Sequence, residues 1–392
     1  MERIRIELLD GVFLTLVRQQ PEQKACFRAA LLRCLDREEA ALNALLADAL
    51  LQGTQRYPSP EALSAALGGG ALQPLVRKLG EVQAFGFTAV FPDDPSAFSD
   101  RMQTLAGVLL APDTRFGQLK KEAVTAALAR REKAAEPDPF DGLIEHMFCY
   151  EDYALPVCGA DPEAGPNYYQ KLSKHYRSVL ASSVVELYCA ASGSLREMAR
   201  IIADCFGAMP RGEIDWELGT DVRMNAVEAE PRELDRAGAQ GAARVSVGWR
   251  LGDMMEDPDV PVFEAMACAV RQQTAARETA VRLDVHKGAL MAQCAVDPED
   301  AQNAVSDLRA AAENLAAEAI TQEALRTAVQ PRLDALRAVE ADPAALEAFW
   351  LEQDVLGLEL APDEYAAFIQ EAGPDAVRQA AASLECDAII IE

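Results

Sequence analysis

The sequence predicts an α+β fold in which one layout, strands followed by helices, occurs twice along the chain. The chain has 392 residues, 50% of them hydrophobic, which is enough for the cores of two or three domains. Strand-like segments open each half, and longer helix-like segments follow them. A stretch rich in Gly, Pro, Asp and Glu separates the halves. We therefore expect domains at 1–212 and 243–392, joined by a linker at 213–242.

The first half opens with a predicted β-hairpin. Residues Arg3–Leu9 and Val12–Arg18 read as strands, and Asp10-Gly11 between them is a strong signal for a two-residue turn. Further strands are predicted at Ala25–Leu35 and at Val82–Phe91. These segments provide the sheet of the first half.

Helices are predicted between and after these strands. The spacing Asp36-x-x-Glu39 is typical of a capping box, which marks the start of a helix. Ser59-Pro60 predicts the start of a second helix, because serine caps helices and proline is favoured at their first position. Glycines 68–70 end this second helix. The next predicted helices are Phe98–Leu110 and Phe116–Ala135.

The second half combines the same kinds of element. Its predicted strands are Ala243–Leu251, Ala289–Val296 and Asp387–Ile391. Its predicted helices are Val262–Ala280, Pro298–Glu318, Gln322–Val339, Ala344–Leu356 and Pro374–Leu384. One short strand-like piece, Val222–Val227, lies within the linker.

Composition excludes several classes of protein. A net charge of −26 argues against nucleic acid as a partner, because the phosphate backbone would be repelled. No run of about 18 apolar residues occurs, so we expect no membrane span. Nine cysteines without paired spacing indicate reduced thiols, and residues 1–20 carry charges where a secretory signal needs an apolar region. The expected location is the cytoplasm.

The negative charge is concentrated in the second half. Residues 216–392 contain 14 basic and 34 acidic residues, a net charge of −20, whereas residues 1–215 contain 23 and 29. The simpler interpretation is a well-solvated acidic surface. The sharper one is that this half attracts a basic peptide or a basic partner by electrostatic steering.

Residues 44–54 carry the most informative pattern. They form a predicted helix that ends in Gly53-Thr54 and is followed by Pro58-Ser59. This arrangement resembles the catalytic helix of the pitrilysin/insulinase family of zinc peptidases, the inverzincins. In that family the helix carries H-x-x-E-H, followed by a few apolar residues, Gly-Thr and a Pro-Ser turn. The resemblance implies two tandem homologous lobes, each an antiparallel-rich sheet packed by helices.

The resemblance also implies that the catalytic motif is degenerate. Ala44 and Asp48 stand where the family has its two histidine ligands, and Ala47 stands where the family has the glutamate that activates water. The third ligand, a glutamate on a later helix, falls at or next to Leu128. Catalytic zinc needs about three protein ligands and a base within reach. We therefore predict no zinc, no other cofactor and no peptidase activity.

Other segments strengthen the resemblance over residues 1–212. Tyr153–Gly159 is similar to a loop of the family, and Tyr168–Tyr176 is similar to the helix after that loop. A strand at Val184–Ala191 and a helix at Leu195–Phe206 have the family's order and spacing. After residue 270 the family's substrate-orienting segment is barely recognisable, and no tyrosine occurs between Tyr188 and Tyr365.

A second chemistry stays open at this stage. His146 and Cys149 are three residues apart on a predicted helix, and either Cys149 or Cys158 could pair with His146 as nucleophile and base. The adjoining Gly142–His146 contains only the last two letters of the metal motif, so a polar helix edge is the simpler interpretation.

These observations predict a non-catalytic subunit of a peptidase. Several branches of the family combine a motif-bearing half with a motif-less half, and the motif-less half closes the chamber and helps to hold the peptide. The expected partner is a motif-bearing homologue or a second copy of the chain, which would make a dimer. The alternatives are a hydrolase that uses cysteine and histidine, and a self-associating peptide-binding protein.

Overall fold

A computed structural model describes residues 2–115, 117–134, 138–159, 167–218, 232–235, 242–251 and 260–392. Its strands are β1 (Glu2–Leu9), β2 (Val12–Arg18), β3 (Ala25–Cys34), β4 (Ala71–Leu79), β5 (Val82–Phe91), β6 (Thr114–Arg115), β7 (Gln118–Leu119), β8 (Val184–Ala191), β9 (Arg232–Asp235), β10 (Ala243–Arg250), β11 (Ala280–Asp284), β12 (Ala289–Val296) and β13 (Glu385–Ile391). Its α-helices are α1 (Ala40–Leu50), α2 (Pro60–Ala66), α3 (Phe98–Leu110), α4 (Lys121–Ala134), α5 (Asp141–Met147), α6 (Tyr168–Ser182), α7 (Leu195–Phe206), α8 (Val260–Gln273), α9 (Ala301–Ala317), α10 (Gln322–Val339), α11 (Pro343–Leu356), α12 (Pro362–Glu371) and α13 (Pro374–Ala382). The α+β prediction is confirmed.

The chain forms two compact units. Unit 1 comprises Met1–Glu136, Leu155–Thr220 and Ala341–Glu352. Unit 2 comprises Pro137–Ala154, Asp221–Glu340 and Gln353–Glu392. Each unit thus takes most of one half of the sequence and one short segment of the other half.

Unit 1 is built on a six-stranded sheet with the order β1-β2-β8-β3-β5-β4. Strands β2 and β8 run parallel, and the other neighbours are antiparallel. Alternation places every second residue of each strand on one face, where helices α1, α3, α4, α6 and α7 bury them. On β3, for example, Phe27, Ala29 and Leu31 belong to this core.

Unit 2 is built on a five-stranded sheet with the order β11-β12-β10-β13-β9. Helices α8, α9, α10, α12 and α13 pack with it or with one another. A separate apolar cluster joins α5 and the short 3₁₀ turn Asp152–Ala154 to strands β12 and β13. Among the described residues, no helix combines the length and the apolar character needed to cross a membrane.

Local turn chemistry explains the predictions that are confirmed. The Asp10-Gly11 hairpin forms, with Gly11 at a φ of +65° and Leu9 opposite Val12. Ser59 caps α2 by accepting a hydrogen bond from the Ala62 N–H. Strand β8 and helix α7 have the predicted bounds.

Other predictions need correction. The predicted helix Phe116–Ala135 begins only at Lys121, because Gly117 turns the chain between β6 and β7; its end residues 116 and 135 lie outside the described part. The predicted helix Val262–Ala280 spans Val260–Gln273, and the chain then forms β11, after a left-handed Glu278 at a φ of +51°. Strand β4 and helix α12 were not predicted.

Two further findings concern residues of the predicted linker and the first helix. Strand β9 lies inside the predicted linker and pairs in parallel with β13, while Val222–Val227 falls outside the described residues. The capping box is incomplete: Asp36 accepts a hydrogen bond from the Glu39 N–H, but the Glu39 carboxylate binds Arg33 and α1 begins at Ala40.

Candidate functional site

The three motif positions of the first half lie on one helix that is buried along its whole length. Ala44 is 1% exposed, Ala47 0% and Asp48 7%. The helix is followed by Gly53 at a φ of +140°, where a Cβ atom would lie 2.7 Å from the Pro58 carbonyl carbon. Only glycine fits such a close approach at this backbone angle. The predicted Gly-Thr turn therefore has a steric cause.

The fourth predicted position, Leu128, lies on α4, and α4 packs against α1 within unit 1. Its neighbours Val124 and Ala127 belong to the core, and Leu128 packs against that core as a half-buried residue. The structure therefore brings the four predicted positions onto two packed helices, and three of the four carry apolar side chains.

Two arginines that the sequence analysis did not single out lie at the contact between these helices. Arg131 of α4 donates one hydrogen bond to the Ala41 carbonyl, at 2.9 Å, and one to the Cys158 carbonyl, at 2.8 Å. Arg130 places its Nε 3.5 Å from Oδ1 of Asp48. In the sequence, the one feature that could have pointed to these contacts is the pair of basic residues that follows Leu128, the expected position of the third ligand.

Asp48 is a buried carboxylate with a charged neighbour. Burial raises the pKa of Asp48, while the positive charges of Arg130 and Arg131 counter part of this rise. Its Oδ1 atom has an ion-pair partner but no hydrogen bond among the described residues. Among the described residues the carboxylate is therefore paired with Arg130 and lies in the positive field of Arg131.

The loop that follows α5 closes over the start of α1. Lys78 donates to the Leu155 carbonyl at 3.1 Å, and Gln83 donates to the Val157 carbonyl at 2.7 Å. Gly159 comes so close to α1 that a Cβ atom would lie 2.4 Å from the Ala41 nitrogen. These contacts explain why the similar loop noticed in the sequence ends in glycine.

A buried chain of amides next to Ala44 fixes the state of His175. Gln83 uses its NH₂ group to donate to two carbonyls, Ala40 and Val157, so its oxygen accepts from the Asn43 NH₂ group. The Asn43 oxygen must then accept from Nε2–H of His175, at 2.6 Å. Burial, together with the positive charges of Arg33 and Lys171, lowers the pKa of His175 to about 4, so the imidazole is neutral.

The residues present do not fit a zinc ion. Two of the three helix positions end in methyl groups, the third is paired with arginine, and Leu128 has no donor atom. In the part of the chain that the structure describes, no three His, Cys, Asp or Glu side chains form a group that could hold a metal ion. We derive no step through a metal at this site.

The pairing of His146 with Cys149 or Cys158 stays a prediction. His146 lies on α5 in unit 2, and its Nε2 is buried without a hydrogen-bond partner among the described residues, so the exposed Cys149 is not bonded to that nitrogen. Burial raises the pKa of several other thiols, to about 12 for Cys26 and about 11 for Cys34, which disfavours the nucleophilic thiolate.

Known structures place this architecture in one fold. No protein-family model matches the chain, and no curated protein sequence matches it. Solved structures do: a conserved protein from Enterococcus faecalis is similar with a TM-score of 0.83 at 16% identity, covering 99% of this chain and 98% of its own. An inactive domain of an M16 peptidase from Pseudomonas fluorescens is similar with a TM-score of 0.74 at 13% identity, covering 100% and 97%.

A third similar structure is longer than this chain. The periplasmic protease PqqL from Escherichia coli matches with a TM-score of 0.71 at 10% identity, and the match covers 99% of this chain but 47% of PqqL. The likeness to M16 peptidases extends over the whole length of this chain. The chain therefore has the pitrilysin/insulinase fold of the M16 peptidases.

Proposed function

We propose that this protein is a non-catalytic homologue of the pitrilysin/insulinase peptidases that assembles with a motif-bearing relative and helps to hold a peptide. The observation that carries the proposal is the buried helix α1, where Ala44, Ala47 and the arginine-paired Asp48 stand in place of the motif. The similarity to an inactive M16 domain supports it. So does the match to PqqL, a protease of which the match covers 47%, because a chain of that length has room for a second piece of the same size.

The peptide would pair with β4. This strand is the last in the sheet of unit 1, and α1 packs against it. An extended peptide can add to such an edge through main-chain hydrogen bonds. Pro74 lies in the middle of β4, opposite Phe87 of β5, and a proline on an edge strand places its missing N–H outward. A peptide added to β4 therefore loses one donor at Pro74.

This edge gives the first test. Pro74→Ala restores one outward N–H, so we expect peptide affinity to rise about two- to tenfold, the effect of one hydrogen bond. Fluorescence polarisation with labelled extended peptides measures the affinity. Pro95→Ala, in the short 3₁₀ turn before α3, is the matched control and leaves the affinity unchanged. An unchanged affinity in Pro74→Ala would place the peptide elsewhere.

The partner is tested by association. A motif-bearing homologue with a basic surface would complement the net charge of −20 in residues 216–392, and binding would weaken as salt is raised. Light scattering at micromolar concentration, with and without such a homologue from the same genome, measures the complex. A protein that stays monomeric with the homologue at low and high salt contradicts the subunit proposal.

Activity assays separate the proposal from the remaining hydrolase hypothesis. The chain alone should not cleave casein or peptides, while the complex should cleave them and lose this activity with a chelator. Cleavage by the chain alone that resists chelator and is abolished by thiol alkylation would favour the cysteine hydrolase.

We also propose a reducing, cytoplasmic location, which the nine cysteines support because no disulfide joins any of them.

A further inference from the structure

Arg131 joins three separate pieces of unit 1. Its backbone belongs to α4, and its two terminal nitrogens donate to the Ala41 carbonyl in the first turn of α1 and to the Cys158 carbonyl in the adjoining loop. Four residues after Ala44, Asp48 forms a second connection from α1 to α4 through Arg130. The two arginines therefore connect α4 to both ends of the Ala41–Asp48 stretch of α1, which contains Ala44 and Ala47.

We infer that Arg130 and Arg131 form a guanidinium brace that replaces a metal ion as the link between α1 and α4 and that excludes divalent cations from this position. The inference does not depend on peptide binding or on a partner. It rests on the contacts of the two arginines and on the misfit of the remaining residues to a metal.

Arginine is suited to this task for two reasons. Its planar guanidinium presents several donors in a fixed fork, so one side chain can bind two carbonyls that belong to different segments. It also keeps its charge at any physiological pH, so the position carries two permanent positive charges against one carboxylate, that of Asp48. A divalent cation brought to this place would be repelled at short range.

The brace should be visible in local opening of the backbone. Arg131→Met keeps most of the volume but removes both hydrogen bonds, and Arg131→Lys keeps the charge but cannot reach both carbonyls. We expect amide hydrogen exchange to become at least tenfold faster in residues 40–44 and 155–159 in both variants. Arg200→Met, on the exposed face of α7, is the control and leaves exchange in these residues unchanged.

Exclusion of cations is tested in a background with restored ligands. This background carries Ala44→His, Asp48→His and Leu128→Glu, and metal-free protein is titrated with Zn²⁺ alone. We expect the background with both arginines to bind Zn²⁺ at least tenfold more weakly than the background with Arg130→Gln and Arg131→Gln. Arg196→Gln with Arg200→Gln removes the same charge from α7 and should not strengthen zinc binding.

The two measurements decide the inference together. Equal zinc affinity with and without Arg130 and Arg131 overturns the exclusion of cations. Unchanged exchange in both Arg131 variants overturns the brace. The exchange measurement needs only single substitutions, so it stands even when the background with restored ligands does not fold.

Discussion

Two short segments of the chain lie in the unit opposite to the half they come from, and they are anchored by the same device. Residues 341–352 come from the second half and belong to unit 1, and residues 137–154 come from the first half and belong to unit 2. Each segment carries one buried glutamate, Glu347 or Glu151, that meets two cations. In both units, a buried glutamate paired with two cations holds a segment that comes from the other half of the sequence.

The cations differ between the two units. Glu347 lies 3.2 Å from Nη1 of Arg28 and 2.8 Å from Nη2 of Arg77. Glu151 lies 2.9 Å from Nη1 of Arg250 and 2.6 Å from Nζ of Lys287. Both cations in unit 1 are arginines, whereas unit 2 combines a lysine with an arginine that also pairs with Asp387 at 3.1 Å.

Apolar residues anchor both segments as well. The segment in unit 2 brings a large apolar set to its sheet, which comprises Phe140, Leu143, Ile144, Met147, Phe148 and Tyr153. The segment in unit 1 buries Leu346, Phe349, Trp350 and Leu351. In each unit a cation lies over an aromatic ring of the segment, Arg3 over Trp350 at 4.0 Å and Arg250 over Phe148 at 4.3 Å. Both segments therefore combine charge pairing with apolar burial.

The largest expected effect comes from Glu347→Gln. The change leaves Arg28, which is 0% exposed, without the charge of this carboxylate, and removing one partner of a buried pair costs about 3–5 kcal/mol. Arg28 cannot release its proton, so the loss should be the same at pH 7 and pH 9.5. Denaturant unfolding at both values measures the free energy of unfolding.

A control separates this effect from a general loss of charge. Glu313 is an exposed member of an i,i+4 pair with Arg309, and Glu313→Gln should cost less than about 0.5 kcal/mol. A loss of that small size in Glu347→Gln would show that the pairing of Glu347 with Arg28 and Arg77 contributes little to stability.

Glu151→Gln should have a smaller effect that depends on pH. We expect a loss of about 2–3 kcal/mol at pH 7, because Lys287 and Arg250 lose a shared carboxylate. The effect is smaller because Arg250 keeps a second carboxylate, that of Asp387, 3.1 Å from its Nε. The same unfolding experiment at pH 7 measures it, and a loss as large as that of Glu347→Gln would contradict this difference between the two segments.

The pH dependence follows from Glu151 itself. Burial acts to raise the pKa of Glu151, but hydrogen bonds from Lys287 and Arg250 outweigh it and hold the pKa below its usual value. A lowered pKa in the folded state means that this stabilisation is present above about pH 4.5 and is lost as the pH falls through the folded value. The difference in free energy of unfolding between wild type and Glu151→Gln should therefore shrink as the pH falls below about 4.5, and unfolding in denaturant at several acidic pH values measures it.

Sequence patterns predicted the elements whose causes are local. The hairpin at Asp10-Gly11, the cap at Ser59 and strand β8 depend on turn chemistry and alternation within a few residues. Strand β4 was missed because Pro74 interrupts its pattern, although Gly80, with a φ of +60°, marks the turn into β5. The placement of residues 137–154 and 341–352 was not predictable, since it depends on contacts between distant parts of the chain.

The candidate site divides in the same way. Aligning one helix motif located Ala44, Ala47 and Asp48 on a single buried helix, because helix periodicity and the Gly53 turn fix that geometry. The role of Arg131 was invisible in the sequence, where an arginine on a helix suggests a solvated surface. Its partners are main-chain carbonyls. Every residue has such a carbonyl, so the sequence does not indicate which ones accept a hydrogen bond from a given side chain.

The smallest expected effect comes from two buried tyrosines that differ in one hydrogen bond. Tyr153, in the unit 2 segment, and Tyr188, on β8 of unit 1, are both 0% exposed. The Tyr153 hydroxyl donates to Asp284 at 2.5 Å, whereas the Tyr188 hydroxyl has no hydrogen-bond partner in the described part of the chain. Tyr153→Phe leaves a buried carboxylate oxygen without its donor and should cost about 1–3 kcal/mol. Tyr188→Phe removes an unsatisfied hydroxyl and should be neutral or stabilising, as unfolding in denaturant will measure; equal losses in both would show that an unseen partner, such as an ordered water, binds Tyr188.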